Sequence, residues 1–132
     1  MLGADAVEAI KARLSTYLSV FEKADAEAYA DQFVFPAAIW ANGTWTGVPD
    51  RRACLELVRG YHSQVKDIGA VRGQILEMTV IELLPRVAVN QLRYQRIDSD
   101  GRPVENVRAN YLMLEQGGEW RIATIAGEST PA

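Results

Sequence analysis

Between Val71 and Glu128 the chain reads as four long strands in succession, and this run limits the possible folds more than any other feature. Only Leu84-Pro85-Arg86, Asp98-Ser99-Asp100-Gly101-Arg102-Pro103 and Gln116-Gly117-Gly118 separate the strands. Gly and Pro in these gaps mark reversals of direction, and Asp100-Gly101 is a strong hairpin dipeptide. A parallel crossover needs about a dozen residues or more, so links this short predict antiparallel neighbours.

The segment ahead of the strands predicts three helices and a small hairpin. Asp5 is placed to cap the first helix, with Glu8 completing a capping box. Val7, Ile10, Leu14, Tyr17 or Leu18, and Phe21 then recur at three- and four-residue spacing, the stripe of an amphipathic helix. Asp25 caps a short second helix that turns Ala28, Tyr29 and Phe33 inward. Pro36 ends helical reading, because Phe35 is pushed towards extended geometry. Residues 35–41 and 44–47 predict a hairpin around Asn42-Gly43, flanked by Trp40 and Trp45. Pro49 and Asp50 open a third helix, whose stripe is Cys54, Leu57 or Val58, Tyr61 and Val65, and Gly69 stops it.

At 132 residues the sequence predicts one domain, 1–132, able to bury a core without disulfides or metal. The net charge is -3 with both signs interleaved, so no basic face is offered to nucleic acid. One cysteine, Cys54, excludes an internal disulfide and fits a reducing compartment. With a single histidine besides, the usual thiolate and imidazole zinc sites are excluded. No basic n-region with an apolar stretch opens the sequence, and no apolar run reaches the length of a bilayer. Asn42-Gly43-Thr44 matches a glycosylation sequon but reads better as a turn. A cytoplasmic location is expected, without membrane contact. No Gly-rich phosphate loop or metal-ligand spacing is present, so no cofactor is expected.

Two helices, a hairpin, a helix and a four-stranded meander predict an α+β architecture with the helices on one face of a curved sheet. Val107, Ala109, Tyr111 and Met113 alternate with Arg108, Asn110, Leu112 and Leu114, and Trp120, Ile122 and Thr124 alternate with Arg121, Ala123 and Ile125. Both faces therefore carry apolar residues, which a half-solvated sheet would not need. A homodimer through the outer sheet face is expected.

The order of elements, the stretch from Tyr17 through Phe21 to Asp25 leading into Phe33, and the terminal Gly118-Glu119-Trp120-Arg121-Ile122 resemble the NTF2-like superfamily. Within it the pattern is similar to the SnoaL-like and ketosteroid-isomerase-like group. The resemblance covers nearly the whole chain and rests on spacing rather than on a signature motif. It implies a cystatin-like cone, a curved antiparallel sheet wrapped around three N-terminal helices, enclosing an apolar pocket with a few polar groups at its floor. Tyr17 looks like the isomerases' helix-one tyrosine, able to donate to a carbonyl oxygen; a packed aromatic of the stripe, its hydroxyl satisfied nearby, is the simpler and favoured reading. The isomerases' oxyanion acid falls by register on Asn110, which could donate through its amide, or could be satisfied by its neighbours. Their catalytic base falls on Ala41 or Trp40, neither of which can take a proton. Trp40 then lines the pocket or packs as core. Tyr61, Asn90, Tyr94 and Arg108 complete the candidate binding residues, on inward or rim positions that a single bulge would reverse.

The remaining candidates each have a simpler structural reading. His62 could act as a base near neutral pH, but a lone histidine on a helix flank is more often exposed or locally bonded. Cys54 lies in an apolar stripe and reads as an inert thiol. Glu77 would be a base with a raised pKa if it faced inward, and a surface or interface charge if outward, the favoured direction. Arg93 and Arg108 could hold a carboxylate, or form cross-strand ion pairs with Glu77 or Glu105. Taken together, the sequence points to a pocket for a small apolar or weakly polar molecule. It leaves open a cofactor-independent isomerase, dehydratase or cyclase, and a non-catalytic binding or assembly module.

Overall fold

Three- and four-residue spacing of apolar side chains makes α1 (Ala4–Glu22), which buries Ile10, Leu14, Tyr17 and Phe21. The computed structural model describes residues 2–132. Gly3 holds the N-cap position without a side-chain bond, so Asp5 lies inside the first turn, where its charge suits the helix dipole, rather than capping it. Asp25 caps α2 (Ala26–Ala30) by accepting from Ala28 N at 3.1 Å. Asp50 caps α3 (Arg51–Asp67) in the same way, accepting from Ala53 N at 2.9 Å. Gly69, at φ +83°, turns the chain out of α3 while Ala70 N bonds back to Val65 O.

The hairpin is β1 (Phe33–Ala41) and β2 (Thr44–Val48), so β1 starts two residues before the expected position. Positive φ at both Asn42 and Gly43 closes it and brings Trp40 opposite Trp45. The meander is β3 (Arg72–Leu84), β4 (Val87–Ile97), β5 (Pro103–Gln116) and β6 (Glu119–Pro131), antiparallel at every junction as expected. One sheet holds all six strands in the order β2-β1-β6-β5-β4-β3. The junction of β1 with β6 is parallel, with Ala38 beside Thr124 and Ala41 beside Gly127. The curved sheet is antiparallel as expected at every other junction, and this one seam is the exception. The long stretch between these strands leaves their relative direction free, so loop length could not set it.

Alternation along the strands decides which side chains meet the helices. On β4 the inward set is Ala88, Asn90, Leu92 and Tyr94, and on β5 it is Ala109, Tyr111 and Met113, all buried. Register places Asn110 opposite Gln91 and Arg108 opposite Arg93, both on the outer face. The expectation that Arg108 and Asn110 point inward or to the rim is therefore corrected. Tyr111 takes the inward place, and period two sends its neighbour out.

One end of the cone is tied shut by Arg13. Its Nε donates to Trp120 O at 2.7 Å and its Nη1 to Gln32 Oε1 at 2.7 Å. Ile10, Leu14, Met113 and Ile122 fill the space there completely. The helices cover the inner face alone. Among the described residues, no helix is long and apolar enough to cross a membrane.

Candidate functional site

Towards the other end the helices and sheet diverge around a cavity of about 340 Å³. Three phenols form its floor. Tyr17 comes from the inner stripe of α1, Tyr29 from the end of α2, and Tyr111 from the inward row of β5. Tyr17 Oη lies 3.1 Å from Tyr29 Oη, close enough for one hydrogen bond between the two phenols. The Tyr17 ring sits 5.0 Å from that of Tyr29 and 5.3 Å, edge-on, from that of Tyr111. Burial raises the Tyr17, Tyr29 and Tyr111 phenols above the ordinary tyrosine value, so each stays protonated and able to donate at neutral pH. Leu18, Val65, Leu92, Val107, Ala109 and Ile125 make apolar walls.

The rim is charged. Arg96, two positions beyond Tyr94 on the inward row of β4, donates from Nε to Glu105 Oε1 of β5 at 2.9 Å. Both side chains are about one-fifth exposed. The guanidinium carbon stands 5.3 Å from the Phe21 ring centre and 5.6 Å from that of Tyr94. Tyr94 Oη in turn donates to Glu22 Oε1 at 3.0 Å, and Gly73 N reaches the same oxygen at 2.6 Å. Gly73 is required there, because a Cβ on it would collide with the Tyr94 phenol. Burial and then Glu22 raise the Tyr94 phenol.

Of the residues expected from the sequence, Tyr17, Tyr61 and Tyr94 line this cavity. Asn90 lies on the same inner face, opposite Tyr111, but is sealed below the floor. It is fully buried, and neither Nδ2 nor Oδ1 has a hydrogen-bond partner. Asn110 and Arg108 line a different hollow of about 560 Å³ on the outer face, together with Glu77, Gln91 and Arg93. Tyr17 and Asn110, expected to polarise one carbonyl together, thus stand on opposite sides of the sheet. Trp40 borders both hollows because β1 edges both, and it remains 44% exposed, so it is not core. Ala41 and Ile39 are its inward neighbours, and neither can accept a proton.

Glu77 faces outward, 4.0 Å from Arg93. His62 packs on Phe21 beside a separate hollow of about 130 Å³. Cys54 is buried, and that burial pushes its thiol up to about 11, which leaves it inert at neutral pH. Among the described residues, no cluster of three or more His, Cys, Asp or Glu side chains is placed to hold a metal ion.

Sequence reasoning missed Tyr29 and Tyr111 as partners of Tyr17, and Arg96 and Glu105 at the rim. Period two from Tyr94 was a signal for Arg96, and from Val107 for Glu105. Without the β4–β5 register nothing paired them.

Comparison with known proteins agrees with this geometry. A family model described as NTF2-like protein (DUF6841) matches residues 7–130. No curated protein matches the sequence. A protein of unknown function with a cystatin-like fold from Nostoc punctiforme superposes with a TM-score of 0.81 at 13% identity, covering 99% of this chain and 96% of that one. A ketosteroid isomerase-like protein from Erwinia carotovora superposes with a TM-score of 0.75 at 14% identity, over 98% and 100% of the two chains. A putative calcium/calmodulin dependent protein kinase II association domain from Xanthomonas campestris gives a TM-score of 0.68 at 16% identity, over 92% and 86%. At such identities the likeness is one of fold. With the family model spanning nearly the whole sequence, the chain belongs to the NTF2-like family DUF6841.

Proposed function

We propose that this protein binds one small, mainly apolar molecule in the cone, with a carbonyl or hydroxyl oxygen of the ligand seated on the phenol floor. One observation carries the reading. The Tyr29 and Tyr17 hydroxyls have two protons but only one bond between them, so one O–H is left to donate, and the Tyr111 ring stands edge-on beside Tyr17. In a buried apolar setting that donor has few competitors, and an unmet one is costly. A volume of about 340 Å³ suits a compact ligand at the lower end of small-molecule sites.

Native mass spectrometry of the purified protein, followed by titration with a neutral naphthyl ketone, tests this. Retained mass or saturable binding that weakens several-fold in Tyr17→Phe is the expected result. A protein that takes up neither, with the cavity residues unmoved in NMR spectra, would overturn the reading.

Binding without turnover is favoured over catalysis, since β1 offers Ala41 where a base would stand and Glu77 points away. A cofactor-independent isomerase, dehydratase or cyclase remains the second reading, on one specific observation: Glu105 brings a carboxylate into the cavity wall opposite α1. Turnover by that route requires Glu105, so catalysis surviving in Glu105→Gln would remove it. The outer face supports a homodimer in the same reading. Trp40, 44% exposed, borders its hollow, and Trp45, 59% exposed, pairs with it across the hairpin at a ring-centre distance of 6.3 Å, giving an apolar surface with no helix over it. The lone buried Cys54 fits a cytoplasmic setting.

A further inference from the structure

Among the described residues Arg96 is the one cation in the lining of the cavity, which also includes Glu105 and Glu128, and its surroundings leave it only partly used. Among the described residues, its sole hydrogen bond is from Nε to Glu105. A guanidinium carries five N–H donors, so the two Nη groups retain four hydrogens. Among the described residues no hydrogen bond or ion pair joins them to Glu22, whose Oε1 accepts instead from Tyr94 Oη and Gly73 N. Phe21 and Tyr94 hold the plane from the sides, while Glu105 fixes its Nε edge. The side chain is therefore oriented before any ligand arrives, which removes an ordering cost from binding.

Resting on the cavity reading above, we infer that Arg96 makes the site selective for carboxylate-bearing ligands. The carboxylate takes the two Nη donors at the rim, and the apolar body extends inward so that an oxygen at its far end meets the tyrosine floor. A planar fork that presents two parallel N–H groups matches a carboxylate in a way that a neutral amide or alcohol does not. The partial burial of the rim strengthens the pairing, since solvent screens it less there than on an open surface. The charge of Arg96 already reaches the floor: burial raises the Tyr17 and Tyr111 phenols, and Arg96 opposes that rise in both. Glu105 has two consequences. It holds the fork in place, and its own charge repels the incoming acid, so it sets the affinity below what Arg96 alone would give.

The test uses 6-hydroxy-2-naphthylacetate and 6-hydroxy-2-naphthylacetamide, which carry an oxygen for the floor at one end, have almost the same shape and differ in charge. Both are titrated into the full chain at physiological ionic strength, by calorimetry with NMR shifts to locate them. The acid is expected to bind about tenfold more tightly than the amide, as one charge-assisted pair implies. Arg96→Met, which keeps an apolar stem over Phe21 and Tyr94, should abolish that preference and leave amide binding in place. Arg96→Lys should keep part of it, and Glu105→Gln should strengthen the acid several-fold. Equal binding of acid and amide to the wild type would overturn the assignment of Arg96 while the cavity reading stood. So would a preference surviving in Arg96→Met. If neither probe shifts the cavity residues, the cavity reading falls and the Arg96 assignment falls with it.

Discussion

Asn90 should be a residue whose removal strengthens the protein. Its side chain has no solvent exposure, and neither its amide nitrogen nor its carbonyl oxygen is hydrogen-bonded. Each buried orphan costs about 1–3 kcal/mol, so the pair withholds about 2–6 kcal/mol. Leucine has the same branching at Cγ and carries no polar atom. Its methyls are bulkier than the amide atoms they replace, and overfilling a packed site costs about 1–3 kcal/mol. Asn90→Leu is thus expected to stabilise the fold by about 1–3 kcal/mol. For a chain of this size that is a rise in Tm of about 4–12 °C. Urea unfolding should show a higher midpoint at an unchanged slope. Asn90→Asp is the matching control and should destabilise strongly, since it places a carboxyl in the same unpartnered site. A loss of more than about 1 kcal/mol in Asn90→Leu, at constant slope, would mean that the amide is bonded in solution. The picture of a stranded polar group would then be wrong.

Three other outcomes follow from the same structure. Gly73→Ala should push Tyr94 off Glu22 and cost about 1.5–3 kcal/mol for a charged hydrogen bond, and in Tyr94→Phe the same substitution should cost less; equal costs in both backgrounds would separate Gly73 from that bond. Stability should hold up to about pH 8 and then fall. The unfolded chain releases tyrosine and cysteine protons that the fold retains on Tyr17, Tyr29, Tyr111 and Cys54, at about 1.4 kcal/mol per pH unit for each proton. A urea midpoint unchanged between neutral pH and pH of about 10.5 would contradict those raised values. Ala126→Arg, in register with Trp40 and Asn110 on the outer face, should leave cavity binding intact and turn a sedimenting dimer into a monomer.

Local chemistry made much of this fold legible. The caps Asp25 and Asp50, the Asn42-Gly43 turn and the short links of the meander all act over a few residues, and each appears where its chemistry placed it. The stripe of α1 likewise delivered Tyr17 to the interior. What could not be read was whatever depended on two strands meeting. Asn110 was assigned by analogy of position, and only its pairing with Gln91 reveals that it points outward. Arg96 and Glu105 are nine positions apart, and become one ion pair only through the strand register. The phenol floor gathers one residue each from α1, α2 and β5, a grouping that no spacing rule announces. The chemistry of the site was therefore present as residue types but hidden as geometry.

The parallel seam between β1 and β6 gives the protein a particular order of assembly. Asn42 exchanges two hydrogen bonds with Ser129, 87 positions further along, so the seam joins segments made at very different times during synthesis. While the nascent chain emerges, the β1–β2 hairpin has no sheet to join, and the aromatic faces of α1 and α2 lack their covering strand. The meander can zip hairpin by hairpin from local contacts, whereas the seam must close one long loop. Contacts of such span slow folding, and they leave apolar surface exposed in the meantime. The cavity, lined by residues of both β1 and β5, is complete only when that last seam forms. A molecule held inside would favour the closed state by mass action.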